Sequence, residues 1–377
     1  MKQIKKLKIA VVGLGFGAEF VPIYLSHPNV DSVVICDGNK ERLSKVRDNF
    51  GINRSTNKFE DIINSKEIDA VHLVSGIPEH AKQTLAVLNS GKHCACTVPM
   101  ATTIEDLRKI VSVQKKVKIN YMMMETTVYT RQFFYAQELK EKGKFGRIQF
   151  MRGAHYQDME SWPKYWAGLP PMWYMTHAIS PLLAITKSRA VKVHCFGSGK
   201  MRKELYRQYK NPFPVETAIF KLDKEEISIE VTRTLFQCAR PYMETFVIYG
   251  ENACYEWQME NEPPVLFTGL PLKPGKWRQF SETRPEPKDR AELLPPEIAK
   301  FTKSFVYSNK NAHLSFKQGG GHHGSHPHMV NEFISSIIEK RSPYINAVTA
   351  ANWTAPGICA HQSAMQGGKE ITIPIFK

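Results

Sequence analysis

The sequence predicts an α/β protein with a doubly wound parallel sheet at the N-terminus and a second α/β domain built on an open, mainly antiparallel sheet. Three observations carry this. Lys8 to Leu25 (KIAVVGLGFGAEFVPIYL) passes from a short apolar run through closely spaced glycines into a second apolar run. As far as Met124, short β-branched runs alternate with stretches of helical spacing, the signature of parallel strands joined by helices. Beyond Phe133 to Lys142, strand-like segments follow one another with few helices between them.

Ile9 to Val12 is too short for a helix and reads as a strand buried on both faces. Gly13, Gly15 and Ala18, with Phe16 and Gly17 between, then fit the G-x-G-x-x-[G/A] pattern of a dinucleotide-binding turn. The first glycine permits the turn, the second lets a pyrophosphate approach the backbone, and the third small residue lets helix and strand pack closely. The following helix end offers unpaired N–H groups to the phosphates. Val33 to Cys36 is the next strand, and Asp37 stands at its end as the expected partner of an adenosine ribose, which favours NAD; Arg42 and Lys40 leave NADP open. Helical stretches at Lys40 to Phe50 and Phe59 to Asn64 lead to a strand at Asp69 to Val74, then through Ser75, Gly76, Ile77, Pro78 and Glu79 to His80 and another helix. His93 to Thr97 is a strand, Ile104 to Lys115 a helix, and Lys118 to Met124 closes a Rossmann-type sheet. Ligands of such sheets collect at strand C-termini. That rule adds Ser75, Gly76, Ile77, His80, Thr97, Val98, Pro99 and Glu125 to the cofactor-binding candidates.

The expected division is therefore an NAD-binding domain over 1–125 and a substrate-binding and oligomerisation domain over 126–377. The second domain has strand composition at Ile148 to Tyr156, Val191 to Gly197, Val215 to Leu222, Ile227 to Leu235 and Thr245 to Gly250. An aromatic, proline-rich insertion, DMESWPKYWAGLPPMWYMTHAISPLLAI, separates the first two and suits a pocket wall or subunit contact. Residues 266–321 lack periodicity and read as a long excursion, after which a helix over 327–340, with Ser325 and Pro327 at its start, returns toward the first domain.

At 377 residues and 42% hydrophobic content the composition is that of a globular protein, with no membrane-spanning run. The seven cysteines lie in apolar segments, as reduced thiols in a cytoplasmic protein would. A net charge of +15 invites a nucleic-acid reading, but the basic residues are dispersed and no nucleic-acid-binding signature accompanies them. A basic exterior or an anionic substrate accounts for the charge.

Taken in order and spacing, GLGFGA, CDGNKER, SGIPEH, the GKH-strand-xxPxA segment and GKFGRIQF resemble the glucose-fructose oxidoreductase / inositol dehydrogenase / MocA (Gfo/Idh/MocA) family across essentially the whole chain. The resemblance implies a Rossmann domain followed by a sheet whose face forms a sugar pocket, and a dimer or tetramer. Typical dehydrogenases of that family carry Glu-Lys-Pro where this chain has Thr97, Val98 and Pro99, and valine cannot move the substrate's hydroxyl proton. The VPMA segment, with Tyr174, Thr176, His177 and Pro181 as YxTHxxxP, is closer to the family's NAD-dependent glycosidase branch, known for α-N-acetylgalactosaminidases; Thr97 departs from that branch's Glu. The implied chemistry is oxidation at sugar C3, loss of the acidified C2 proton with expulsion of the C1 substituent, addition of water, and return of the hydride. The alternatives are simple sugar dehydrogenation and a non-catalytic NAD and sugar sensor.

His177 is the first catalytic candidate, since an imidazole changes protonation near neutrality and the resembling enzymes place a histidine there. His155 and Tyr156 follow as base and sugar contacts, with Asp158; strand alternation puts His155 and Gln157 on one face, Tyr156 and Asp158 on the other. Trp162, Trp166 and Tyr174 are expected to stack on sugar rings. In GGGHHGSHPH, His323 and His326 are expected at the substrate; no supporting Cys or carboxylate spacing points to a metal.

Overall fold

The computed structural model describes residues 6–224, 226–303, 305–306, 317–318 and 321–377. The chain forms two compact units, the first holding Met1–Thr130, Asp289–Ala351 and Phe376–Lys377, the second Arg131–Lys288 and Asn352–Ile375.

The first unit is built on β1 (Leu7–Val12), β2 (Val30–Cys36), β3 (Arg54–Thr56), β4 (Ala70–Leu73), β5 (His93–Thr97) and β6 (Tyr121–Met124). Their order is β3-β2-β1-β4-β5-β6, and every neighbouring pair is parallel. Five helices connect or flank them: α1 (Val21–Ser26), α2 (Lys40–Phe50), α3 (Phe59–Asn64), α4 (His80–Asn89) and α5 (Ile104–Val117). Asn39 caps α2 by accepting the Arg42 N–H, and Thr103 caps α5 through the Asp106 N–H. The order reverses between β1 and β4, so the ends of these two strands flank the crevice where such sheets bind ligands.

The second unit begins with α6 (Arg131–Glu141) and β7 (Ile148–Tyr156), then α7 (Thr176–Thr186), β8 (Ala190–Ser198), α8 (Lys203–Tyr209), β9 (Val215–Leu222), β10 (Ser228–Thr234), β11 (Met243–Gly250), β12 (Ala253–Trp257), β13 (Val265–Gly269) and β14 (Phe280–Thr283). With the short strand Ile371–Thr372 they form a nine-stranded sheet. The sheet is mixed, since β7 pairs parallel with β10 while its other neighbour, β11, is antiparallel. Helix α7 lies largely in the aromatic, proline-rich insertion, where no helix was expected. Every one of its residues is buried, so no polar face marks it in the sequence, and Pro181 lies inside it. β13 and β14 lie within the expected excursion; β14 is exposed throughout and so shows no alternation.

Residues 289–351, which cluster with the first unit, carry α9 (Pro296–Ala299) and α10 (His326–Ile338), the latter with Pro327 in its first turn. Helix α11 (Ala347–Met365) follows. Among the described residues no helix is long and apolar enough to cross a membrane.

Candidate active site

The dinucleotide turn of the first unit is shaped as a phosphate cradle. Gly13 has φ +87°, and a Cβ on it would stand 2.6 Å from the Val74 carbonyl oxygen, so only glycine fits between β1 and the end of β4. At Gly15 the nearest atom to a built Cβ is 4.0 Å away, which leaves the backbone open to a ligand. Gly17 packs on Val11 and Val74, sharing with buried Ala18 the close-packing role expected of Ala18 alone. Phe16 is partly exposed beside them.

Asp37, nearly buried, holds this turn. Its Oδ2 accepts the Leu14 N–H at 2.7 Å, its Oδ1 the Asn39 N–H at 2.7 Å, and Arg42 Nη1 lies 3.3 Å away. The carboxylate thus arrives pre-oriented, with lone pairs left for a ribose. A nicotinamide dinucleotide fits this donor set.

The loops after β4 and β5 are pinned together by His80, whose Nδ1 lies 2.8 Å from the Pro99 carbonyl and whose Nε2 lies 3.0 Å from the Ser75 carbonyl. Facing two acceptors, the ring must donate twice, as an imidazolium does. Burial works against that charge, but Cys96 and the two carbonyls outweigh it and raise the pKa to about 9. Ser75 Oγ donates to Gln83. Gly76 leads into the short turn Ile77–Glu79, in which Ile77 is buried. Thr97 Oγ1 donates to the Leu73 carbonyl, and Val98, almost buried, places a hydrocarbon before Pro99. Glu125 is fully buried and accepts the Thr127 N–H, capping the turn that follows β6.

The second unit gathers the other candidates by register. Glu244 of β11 pairs with His155 of β7, His155 with Arg233 of β10, and Arg233 with Glu216 of β9. These four side chains form one row across four strands, each fully buried. Over the row lies α7. A Cβ at Gly153 would overlap the Ala178 carbonyl oxygen, so glycine on β7 is what lets α7 settle onto the sheet. His177 is thereby brought to 5.0 Å from the His155 ring, between centroids, with its Nδ1 3.6 Å from Glu244 Oε2. Tyr242 donates its hydroxyl to the same Glu244 oxygen at 2.7 Å, and its ring lies 4.9 Å from that of His155. Burial drives the Tyr242 phenol far above its ordinary range, with Glu244 adding to the effect.

Arg233 organises the opposite side. Its Nε donates to the Tyr174 carbonyl and its Nη1 to the His155 carbonyl, both at 3.0 Å, and its guanidinium stands 5.3 Å from the Tyr174 ring. Burial lowers its pKa to about 9, with Tyr174, Tyr242 and Glu244 opposing the fall. Tyr174 packs edge-on against His177 and Trp166, and Trp162 against Trp166. Glu216 Oε1 lies 2.7 Å from His361 Nδ1, while its Oε2 accepts the Met172 N–H, fixing the turn Pro171–Tyr174 that carries Tyr174.

His155, His177, Tyr174 and Trp166 thus meet in one cluster. Tyr156 does not: it lies on the other face of the sheet, near Arg152 and Thr232. Asp158 bonds the Glu160 N–H in its own loop, and Trp162 is half-exposed. His326 is buried in the first unit, 3.3 Å from Glu19, and His323, half-buried, belongs to the same loop. Sequence reasoning missed Glu244, Tyr242 and Arg233. Glu244 in the largely apolar β11 was a signal, but only the register and the packing show that the three converge.

A cavity of about 860 Å³ in the first unit opens among Leu7, Asp69, Lys92 and Ile338, where strands begin and α3, α4 and α10 end. Lys66, Lys92 and Lys340 follow those helix C-termini and complement their dipoles, so the cavity lies at the end of the sheet that such folds do not use for ligands.

Residues 7–124 match the model of the oxidoreductase family with an NAD-binding Rossmann fold. That match lies within the first unit, whose motifs carry the resemblance to the Gfo/Idh/MocA family. A Glycosyl hydrolase family 109 protein of Saccharopolyspora erythraea is 20% identical over 98% of this chain and 83% of its own length. An Inositol 2-dehydrogenase of Salmonella paratyphi B is 25% identical over 40% of this chain and 46% of its own. Levoglucosan dehydrogenase in complex with NADH superposes with a TM-score of 0.77 at 18% identity, over 98% of this chain and 100% of that one. An oxidoreductase from Agrobacterium radiobacter in complex with NAD+, L-tartaric acid and magnesium gives 0.75 at 13% identity, over 98% of both chains. The fold shared with these structures therefore extends over both units, and the NAD-binding Rossmann fold of the family model covers the sheet of the first.

Proposed function

We propose that the chain is an NAD(H)-dependent enzyme acting on a sugar or glycoside by hydride transfer, with His177 as the group that takes up and returns the substrate's hydroxyl proton. The observation that carries this reading is the buried His155–His177–Glu244 cluster beneath Tyr174 and Trp166. When bound, NAD supplies the hydride acceptor. The protein's own groups do the rest. His177 accepts the proton, and the resulting cation is stabilised by Glu244, which Tyr242 holds in place. His155, in ring contact with His177, is the candidate second base for the neighbouring carbon acid. Tyr174 and Trp166 supply apolar faces for a sugar ring. The relatives named as glycosyl hydrolases, together with the hydrocarbon at Val98, favour cleavage of a glycoside through a transient 3-keto sugar over net oxidation.

A panel of glycosides incubated with the enzyme and NAD+ tests this. Aglycone release without net NADH is the expected result; NADH accumulation would make the protein a dehydrogenase, and inertness toward every sugar would leave a sensor. His177→Ala is expected to lower turnover by about 10²- to 10⁴-fold while NAD affinity stays nearly constant. Exposed Phe196 and Ile219 on the outer face of the second unit's sheet support subunit pairing there, and light scattering is expected to find a dimer or tetramer.

A further inference from the structure

The histidine-rich loop packs against the dinucleotide turn of its own unit. The short turn Gly17–Glu19 follows the phosphate-binding glycines and presents Glu19. His326 Nδ1 stands 3.3 Å from Glu19 Oε2, and the His322 ring is 5.5 Å from that of His326. Both rings meet Phe16 edge-on, at 6.0 Å for His322 and 5.5 Å for His326, and Phe20 lies 4.7 Å from His326. Thr126 Oγ1 is 3.4 Å from His322 Nδ1. The loop adopts a costly shape to reach this position. His322 (φ 45°, ψ 50°) and His323 (φ 53°, ψ 34°) are both left-handed. At Gly324 a Cβ would overlap the Thr302 carbonyl oxygen. Consecutive left-handed residues other than glycine persist only where their surroundings over-determine them, and they concentrate at ligand clamps.

The electrostatics pose a problem that a ligand resolves. A carboxylate in the turn that cradles a diphosphate repels it, unless the carboxylate is protonated or paired with an imidazolium. Burial pushes the Glu19 carboxyl up to about 7, with His322 pulling the other way. Among the described residues the other charged or titratable groups facing this turn are few. His72, on β4 behind Phe20, is held neutral by burial, with a pKa near 3. Asp37, which accepts the Leu14 N–H, and Arg42, which borders Gly15, are paired with each other.

We propose that Glu19, His322 and His326 form a proton-accepting clamp on the diphosphate of NAD, so that cofactor binding draws a proton from solvent onto this cluster. The incoming diphosphate brings negative charge and therefore favours the protonated cluster. By linkage, a complex that holds more protons than the free protein binds more weakly as pH rises, by up to about tenfold per pH unit for one proton.

The test is calorimetric titration of the full chain with NAD+ at about pH 7.5, in buffers of differing ionisation enthalpy, repeated with ADP-ribose and with adenosine. The expected result is uptake of a substantial fraction of a proton with NAD+ and ADP-ribose and none with adenosine. Glu19→Gln, which mimics the protonated acid, is expected to abolish the uptake and to bind NAD+ up to about tenfold more tightly than the native chain at about pH 8. Loss of affinity in that variant would indicate a merely structural role and overturn the proposal. So would zero uptake by the native protein, a measurement that needs no variant to fold. Failure of NAD+ to bind at all would instead overturn the cofactor assignment.

Discussion

Four buried polar residues, Glu244, His155, Arg233 and Glu216, share one row on adjacent strands, where burying a polar group without partners is costly. Arg233 spends its donors on the Tyr174 and His155 carbonyls, and Glu216 spends both oxygens on His361 and Met172. Glu244 differs, because its Oε2 faces His177 across 3.6 Å, an ion-pair separation that strengthens when the imidazole is charged. Glu244→Gln keeps the shape and removes the charge. Steady-state kinetics are expected to show kcat falling about 10²-fold with the NAD affinity unchanged; an unaltered kcat would remove Glu244 from the proton relay. The contrasting residue is Val98, where a dehydrogenase of the resembling type has lysine. Its hydrocarbon side chain can neither accept nor donate a proton.

At the scale of elements, α7 places the histidine and β7 places α7. Gly153→Ala adds one carbon where the Ala178 carbonyl already sits, so the helix must lift from the sheet. Overpacking of this kind costs about 1–3 kcal/mol, read as a lowered melting temperature, and a shift of about 1 Å in His177 costs about 10²-fold in turnover. Retained turnover with lowered stability would show that the cluster tolerates movement of α7. The alternating first unit was legible because its elements carry distinct periods: Lys40 to Phe50 has caps and a polar face, and Ile9 to Val12 runs straight into glycine. The segment Thr176–Thr186 was not, because a helix buried on all sides carries no period. His155 and His177 were readable as candidates from their residue types and neighbours. Glu244, about seventy residues further on, becomes their partner only through the pairing of β7 with β11, which no local pattern encodes.

For the molecule as a whole, three groups of the first unit, His80 and His72 buried and Glu19 partly so, contribute to its response to pH. His80 binds its proton more tightly folded than unfolded, so its contribution is complete below its ordinary value of 6.5 and is lost as pH rises through about 9. Glu19 behaves alike at lower pH, complete below 4.5 and lost as pH rises through about 7. His72, buried neutral, has the opposite sign: its contribution is present above 6.5 and is lost as pH falls toward about 3. Differential scanning fluorimetry is expected to show the melting temperature falling between about pH 6.5 and 9.5, and His80→Gln to flatten that limb; an unchanged slope would mean the ring is not an imidazolium in the folded protein. A last consequence comes from Asp37. With one oxygen on Leu14 and the other on Asn39, this carboxylate cannot swing aside for a second anion. A coenzyme phosphorylated at the 2′ position would meet a fixed negative charge, so the turn is built to select the unphosphorylated coenzyme.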